Sequence, residues 1–188
     1  MTLFLTADTH FGHANIISYS KRPYADVAEM EAGLVDRWND TVRPDDEVWH
    51  LGDVAMGQLH LTLPIVHRLH GRKHLVPGNH DRCWPGYAKA AQWTEAYTDI
   101  GFTILPVQTT LQVAGFEAVV CHFPYRDLNI VQERYAKHRP LDDGRWLLHG
   151  HVHDAWKVNG RMINVGVDVW DQRPVALGAI EGLLPHRS

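Results

Sequence analysis

Cysteine is scarce in this chain, with two residues among 188. Cys83 and Cys121 lie far apart, so the sequence carries neither a disulfide framework nor the closely spaced cysteine pairs of a structural zinc site. We therefore expect two buried thiols in a reducing compartment. Any metal site in this chain has to use oxygen and imidazole ligands.

Long apolar runs and an excess of basic charge are also absent. No apolar run approaches the roughly 18 residues that cross a bilayer, and the stretch from Met1 to Leu5 lacks the basic region and long apolar segment of a signal peptide. We expect a cytoplasmic protein with no membrane partner. The net charge of −4 excludes the overall basic footprint of a dedicated duplex-binding protein, although a local basic patch stays open.

Length and composition fit one globular domain over residues 1–188. A chain of this length can bury a sizeable core, and 45% hydrophobic with 21% charged residues is usual for such a domain. The sequence gives no indication of an oligomeric state.

Predicted strands and helices alternate in the first half, and strands dominate the second. The three- and four-residue apolar spacing that follows Asp26 predicts an amphipathic helix capped by this residue, and Pro64 is expected to break a second helix. This order predicts sheets that pack together with helices outside them. Strands are predicted at 3–7, 47–51, 74–76, 103–105, 110–113, 116–121, 146–149, 162–167 and 175–180, and further helices at 58–70, 87–97 and 129–137.

Histidine, in contrast, is abundant, with fourteen residues. Five of them fall in short polar motifs that follow apolar runs or glycines, where a strand passes into a loop. Carboxylate, amide and imidazole groups together suit divalent cations that accept mixed oxygen and nitrogen ligands. Each motif alone is a weak signal, but five in one chain are a strong one. The motifs are Asp8-Thr9-His10, Gly52-Asp53, Gly78-Asn79-His80-Asp81, His122 and Gly150-His151-Val152-His153.

This order of motifs resembles the calcineurin-like metallophosphoesterase superfamily, and the resemblance runs from residue 8 to residue 153. It implies an α/β (α+β) fold, a four-layer αββα sandwich of two mixed sheets flanked by helices. It also implies two divalent metal ions, with manganese favoured and iron or zinc as the other candidates. The resemblance assigns Asp8, His10, Asp53 and His153 to one metal, and Asp53, Asn79, His122 and His151 to the other.

His80 is adjacent to a predicted ligand and is expected to face the substrate instead. The resemblance implies that it donates the proton to the leaving oxygen, and we predict that Asp81 orients its ring. Many relatives pair this histidine with an aspartate three positions after the bridging carboxylate. That position is Met56 here, so the usual pair is in question.

Several other polar side chains are candidates for substrate contact or for support of the site. Asn15 could instead cap a helix, and Arg22 could be a solvated surface charge. We interpret His149 as structural and expect Asn164 or Asp168 to hold a ligand histidine. The predicted substrate contacts are His13, Asn15, Arg22 and Arg126. Nucleic-acid contact and an ordinary structural role both stay open for Trp84, Trp156, Trp170 and the basic run 134–139.

These residues predict a hydrolase. Two aspartates against two divalent cations leave a positive site that suits a phosphate anion. Hydroxide from a metal-bound water is expected to attack phosphorus directly, while His80 protonates the departing oxygen. The expected substrates are phosphodiesters, including nucleotide or nucleic-acid ends. The alternatives are a phosphomonoesterase acting on a small phosphorylated metabolite or a protein, and a non-catalytic scaffold, which should have lost ligands.

Overall fold

The computed structural model describes residues 1–127, 129 and 134–185. Within these residues, ten strands form two five-stranded sheets. The strands are β1 Leu3–Thr6, β2 Glu47–His50, β3 Arg72–Leu75, β4 Phe102–Ile104, β5 Gln108–Val113, β6 Phe116–Cys121, β7 Leu147–His149, β8 Val158–Asn159, β9 Met162–Asn164 and β10 Val175–Ala176. The α-helices are α1 Ala14–Tyr19, α2 Val27–Thr41, α3 Leu59–Thr62, α4 Ala90–Asp99 and α5 Leu177–Glu181.

Both sheets are mixed. The first has the order β10-β1-β2-β3-β4, in which β1 to β4 are parallel and β10 is antiparallel to β1. The second has the order β5-β6-β7-β9-β8, with β6, β7 and β9 parallel and both edge strands antiparallel to their neighbours. Val113 pairs with Phe116, so Ala114 and Gly115 form a hairpin turn between the strands predicted at 110–113 and 116–121, and both have positive φ.

Apolar side chains fill three layers around the sheets. Leu5 of β1 and Val76, directly after β3, pack with Val120, Leu148 and Ile163 of the second sheet. Helices α1, α2 and α4 cover the other face of the first sheet. The outer face of the second sheet carries an aromatic cluster that includes Trp84, Phe123 and Tyr125. The predicted pair of mixed sheets with helices is therefore confirmed.

Helix α2 begins where its sequence predicts. Asp26 is the N-cap, and its Oδ1 accepts from the backbone N–H of Glu29 at 2.9 Å. The carboxylate of Glu29 in turn accepts from the backbone N–H of Ala25. The buried residues Met30 and Trp38 lie on the face that packs against the first sheet. Local capping and apolar spacing thus fix this helix.

The bounds of some predicted elements differ from the structure. The strand expected at 175–180 ends at Ala176, and the chain continues as α5, which buries Ile180. The helix expected at 58–70 is broken at Pro64 as predicted, because α3 stops at Thr62 and a 3₁₀ turn follows over Leu63–Arg68. Of the helix expected at 129–137, residues 130–133 lie outside the described residues, and among the others Ala136 and Lys137 belong to a short 3₁₀ turn, Ala136–His138. None of the described helices is long and apolar enough to cross a membrane.

Candidate metal centre

The predicted ligands follow the carboxyl ends of parallel strands. Strands β1, β2 and β3 of the first sheet end shortly before Asp8, Asp53 and Asn79, and β6 and β7 of the second sheet end shortly before His122 and His151. The carboxyl ends of parallel strands lie at one edge of a sheet, where loops commonly build ligand sites. Polar side chains from both sheets therefore converge at one edge of the sandwich.

A first group of ligand atoms comes from Asp8, His10 and His153, whose ligand atoms lie within 4.8 Å of one another. Asp8 Oδ1 and His10 Nε2 are 3.9 Å apart, and both are buried with no hydrogen-bond partner among the described residues. Burial raises the pKa of Asp8 to about 6 and lowers the pKa of His10 well below its usual value. Unsatisfied buried polar atoms destabilise a fold. A divalent cation between them would satisfy both.

A second group comes from Asp53, His122 and His151, again with ligand atoms within 4.8 Å of one another. His122 Nδ1 lies 2.7 Å from the carbonyl oxygen of Leu51, so its N–H donates there and Nε2 keeps a lone pair in the neutral ring. That Nε2 lies 3.2 Å from Asn79 Oδ1 and 3.4 Å from Asp53 Oδ2. Three acceptors face one another, an arrangement that requires a proton or a metal cation between them.

Asp53 belongs to both groups by position. Its Oδ2 lies 3.7 Å from His10 Nε2, 3.4 Å from His122 Nε2 and 4.0 Å from His80 Nε2. Burial alone would raise the pKa of Asp53, but the imidazoles of His122, His10 and His80 hold it well below its usual range. Burial also lowers the pKa of His122, yet the charge of Asp53 outweighs it and raises that pKa to about 9. This point therefore attracts positive charge strongly.

The backbone around the centre adopts an uncommon conformation. Five of the seven predicted ligands have φ between 50° and 72°, in the left-handed region that Asp and His tolerate better than most residues. Gly78 and Gly150 allow close approach, because a Cβ there would lie 2.4 Å from Asp53 Oδ1 and 2.5 Å from Asp8 Oδ2 respectively. Sharp turns after each strand thus bring the ligands together. The five residues are Asp8, His10, Asp53, His151 and His153.

Arg22 has a different position from the predicted one. It is buried beneath the centre, where its guanidinium donates to both carboxylate oxygens of Asp168 and to the carbonyl oxygens of Asp8 and Thr9. The prediction of substrate contact, and the alternative of a solvated surface charge, are therefore both wrong. Asp168 Oδ2 also lies 3.2 Å from His153 Nδ1, so the expected support of a ligand histidine by Asp168 is present in the structure.

Asp81 also departs from its predicted role. Its carboxylate is fully buried and accepts hydrogen bonds from the backbone N–H groups of Asp53, Gly78 and Val54 at 2.8 to 3.0 Å. Burial and then the charge of Asp53 raise its pKa to about 7, against the three N–H donors, which lower it. The carboxylate fastens the loops after β2 and β3. Its orientation of the His80 ring is not supported, because its described partners are main-chain groups and the Tyr97 hydroxyl.

His80 and His13 face the open side of the centre. The His80 side chain is 36% exposed, and its ring lies 5.5 Å from the ring of His10. The ring of His13 lies 5.3 Å from that of His10 on the same side. Partial burial lowers the pKa of both His80 and His13. These positions fit side chains that meet a substrate.

The positions of Asn15 and Arg126 give less support to the predicted substrate contacts than that of His13. Asn15 lies in the first turn of α1 and is exposed, but the N-cap is His13, so the capping alternative for Asn15 is wrong. Arg126 is exposed and lines a surface cavity with Asp142 and Arg161, whose described lining includes none of the predicted ligands. Contact between Asn15 and substrate stays a prediction, and the structure offers no support for the Arg126 contact.

The three tryptophans and His149 make packing and hydrogen-bond contacts within the protein. Trp84 is buried in the aromatic cluster, and the half-buried Trp156 packs against the buried His149 ring at 4.7 Å. Trp170 Nε1 donates to the carbonyl oxygen of Asn164. The amide of Asn164 donates to the carbonyl oxygen of His153, so it supports that loop as expected.

One part of the site had little signal in the sequence. The ring of Tyr135 lies 5.9 Å from that of His151, and the guanidinium of Arg134 stacks over Tyr135 at 4.8 Å. The charge of Arg134 also adds to burial in lowering the pKa of His80. The beginning of the basic run 134–139 therefore lies beside the centre. The tyrosine beside the first arginine of this basic run is the feature of the sequence that could have indicated this.

Comparison with known proteins finds relatives that match over most of the chain. The chain is 31% identical to the gene 66 protein of Mycobacterium phage L5, and the match covers 97% of this chain and 94% of the relative. It is 33% identical to the gene 66 protein of phage D29, covering 89% and 88%. A crystal structure of a protein of unknown function from Aquifex aeolicus is similar with a TM-score of 0.70 and 25% identity, covering 97% and 99%. Residues 1–175 match the calcineurin-like phosphoesterase superfamily domain, and the chain belongs to this superfamily.

Proposed function

We propose that the protein is a phosphodiesterase that depends on two divalent metal ions and acts on nucleotide or nucleic-acid phosphodiesters. The carrying observation is the position of Asp53. One oxygen of this carboxylate lies 3.7 Å from His10 and 3.4 Å from His122, the imidazoles of two separate ligand groups. A carboxylate shared by two groups is what a pair of metal ions requires.

The donor set indicates which ions fit. Asp8, His10 and His153, with Asp53, would hold one ion, and Asp53, Asn79, His122 and His151 the other. Imidazole with carboxylate and amide oxygen suits Mn²⁺, Fe or Zn²⁺ better than Mg²⁺, which prefers an all-oxygen shell. When bound, such ions lower the pKa of coordinated water and neutralise charge on phosphate oxygens.

His80 would serve the leaving group. It is outside both ligand groups, its side chain is partly exposed, and its Nε2 is 4.0 Å from the shared carboxylate. An imidazole at that distance from the centre can hold a proton at Nε2 and donate it to the departing oxygen. His13 lies on the same side and can donate a hydrogen bond to the substrate phosphate.

The exposed side of the centre favours diesters. His80 and His153 are 36% and 26% exposed, so an ester group can extend away from the phosphate on this side. The test is hydrolysis of bis(p-nitrophenyl) phosphate and p-nitrophenyl phosphate by protein loaded with Mn²⁺. We expect a higher kcat/KM on the diester and loss of activity on chelation. Preference for the monoester would support a phosphomonoesterase, and metal binding without turnover would support a scaffold.

A further inference from the structure

Two neighbouring cavities share two lining residues, one of which closely follows His80 in sequence. They have volumes of about 460 Å³ and 300 Å³, and Arg82 and Trp93 line both. The first lies between the α3 region and α4, and the second extends toward Tyr87. Because they share Arg82 and Trp93, we treat the two cavities together and name them the Arg82–Trp93 trough. It is defined by Leu59, Leu63, Arg82, Lys89, Trp93 and Ile100.

Both walls of the trough are tied to the centre through short stretches of chain. Arg82 follows His80 by two residues, so the two Cα atoms are separated by at most about 7 Å. On the opposite wall lies Gly57, where a Cβ would lie 3.4 Å from the carbonyl oxygen of Gly12. Gly12 is two residues from His10. The described lining of the trough therefore includes one residue close in sequence to His80 and one that contacts the loop after His10.

The surface of the trough combines aromatic, apolar and cationic groups. Trp93 packs partly against the core, which holds its ring in place. The guanidinium of Arg82 lies over the ring of Tyr87 at 5.2 Å, and the Tyr87 hydroxyl donates to the carbonyl oxygen of Asn79 at 2.7 Å. Lys89 adds a second cation. Among the described residues that line the two cavities there is no carboxylate.

We propose that the Arg82–Trp93 trough binds the nucleoside leaving group of a phosphodiester substrate. The inference rests on the proposed function. Water adds to phosphorus and loses one proton to the solvent, the bond between phosphorus and the nucleoside oxygen breaks, and that oxygen takes the proton held by His80, which the solvent then replaces. The departing group must lie on the side of its proton donor, and Arg82, two residues after His80, connects the trough to that donor.

The chemistry of the trough fits a nucleoside better than other occupants. Aromatic side chains with nearby cations are the usual means of binding bases and the phosphates that follow them. A volume of about 460 Å³ is within the range of small-molecule sites. The apolar floor of Leu59, Leu63 and Ile100 suits the face of a base, and Arg82 and Lys89 suit the anionic strand beyond it.

The test uses one substrate with two leaving groups, the mixed phosphodiester of methanol and the 5′-hydroxyl of thymidine. Both leaving oxygens are primary alkoxides, so chemistry alone gives little preference between them. Full-length protein loaded with Mn²⁺ should release thymidine and methyl phosphate about 10-fold more often than methanol and thymidine 5′-phosphate. The product ratio does not depend on how much protein is folded or loaded with metal.

The variants Trp93→Ala and Arg82→Gln should bring this ratio close to one. Lys157→Gln is the matched control, because Lys157 lies over the ring of Trp170 at 3.9 Å in a similar cation–aromatic pair outside the trough. A ratio near one in the original protein, or an unchanged ratio in both trough variants, would overturn the inference and point to a peptide or a second chain as the occupant. Failure to cleave either bond would contradict the proposed function itself, and the inference with it.

Discussion

The guanidinium of Arg22 and the carboxylate of Asp168 form a fully buried ion pair, with Nε 2.7 Å from Oδ1. The pair joins two loops 146 residues apart in sequence. Arg22 donates to the carbonyl oxygen of Asp8 at 2.6 Å, and Asp168 accepts from His153 at 3.2 Å. Because Asp8 and His153 belong to the same ligand group, this pair fixes one group and leaves the other to different supports.

Asp168→Asn should therefore weaken one metal site selectively. The substitution removes the charge that holds His153 and Arg22, and loss of such a supporting carboxylate typically costs about 10- to 100-fold in metal affinity. We expect Mn²⁺ titration followed by electron paramagnetic resonance to show loss of the signal of a coupled pair and retention of a single ion.

Asp142→Asn is the control for this experiment. It disrupts the Asp142–Arg161 pair, whose side chains are about half exposed, and should change neither site. Equal weakening of both sites by Asp168→Asn would show that the ion pair supports the fold generally.

Asp81→Ala should destabilise the protein. Its carboxylate satisfies three buried backbone N–H groups, and leaving them unpaired should cost at least about 2 kcal/mol in the free energy of unfolding. Urea denaturation of metal-free protein measures this. Unchanged stability, with activity lost only on esters with poor leaving groups, would restore the role of orienting His80.

His80→Ala should keep both metals and lose about 10²- to 10⁴-fold in kcat on a diester with an alkyl leaving group. A p-nitrophenolate leaving group needs little protonation, so the loss there should be smaller. Steady-state rates on the two diesters, with metal content measured in parallel, make the comparison. Equal losses would indicate that His80 positions phosphate, and loss of metal would identify it as a ligand.

His50 should make stability depend on pH. Its ring is buried, and burial lowers its pKa from 6.5 to about 3. Between these values the unfolded chain binds a proton that the folded chain does not, so stability falls as pH decreases from about 6.5 toward 3. The slope from this group is at most about 1.4 kcal/mol per pH unit. Denaturation of chelated protein at pH 7, 6 and 5 should show a smaller slope for His50→Gln, and an identical slope would exclude His50 as the cause.

The sequence predicted best where the signal was local. Asp26 and the apolar spacing after it specified α2, and two short strand-like segments specified the hairpin around Ala114 and Gly115. The strand predicted at 175–180 was wrong beyond Ala176, because a short apolar run fits a strand or a buried helix equally well. Burial of Ile180 against both sheets decides for the helix, and that contact is a tertiary one.

The site was predicted in part for the same reason. Ligands at strand ends come with glycines and polar motifs that are visible locally. Arg22 was misassigned because its partner Asp168 is 146 residues away, and a single arginine carries no sign of its burial. Asp81 was misassigned because its adjacency to His80 suggested a partner, whereas the turn directs its carboxylate to main-chain N–H groups.

The bridging position of Asp53 is the centre of this account, and metal content tests it most directly. Elemental analysis of protein loaded with Mn²⁺ and passed through gel filtration should give two ions per chain for the original sequence. Asp53→Ala should retain at most one, because both ligand groups lose the oxygen that lies 3.7 Å from His10 and 3.4 Å from His122. Two ions retained by Asp53→Ala, or a single ion in the original protein, would contradict the account.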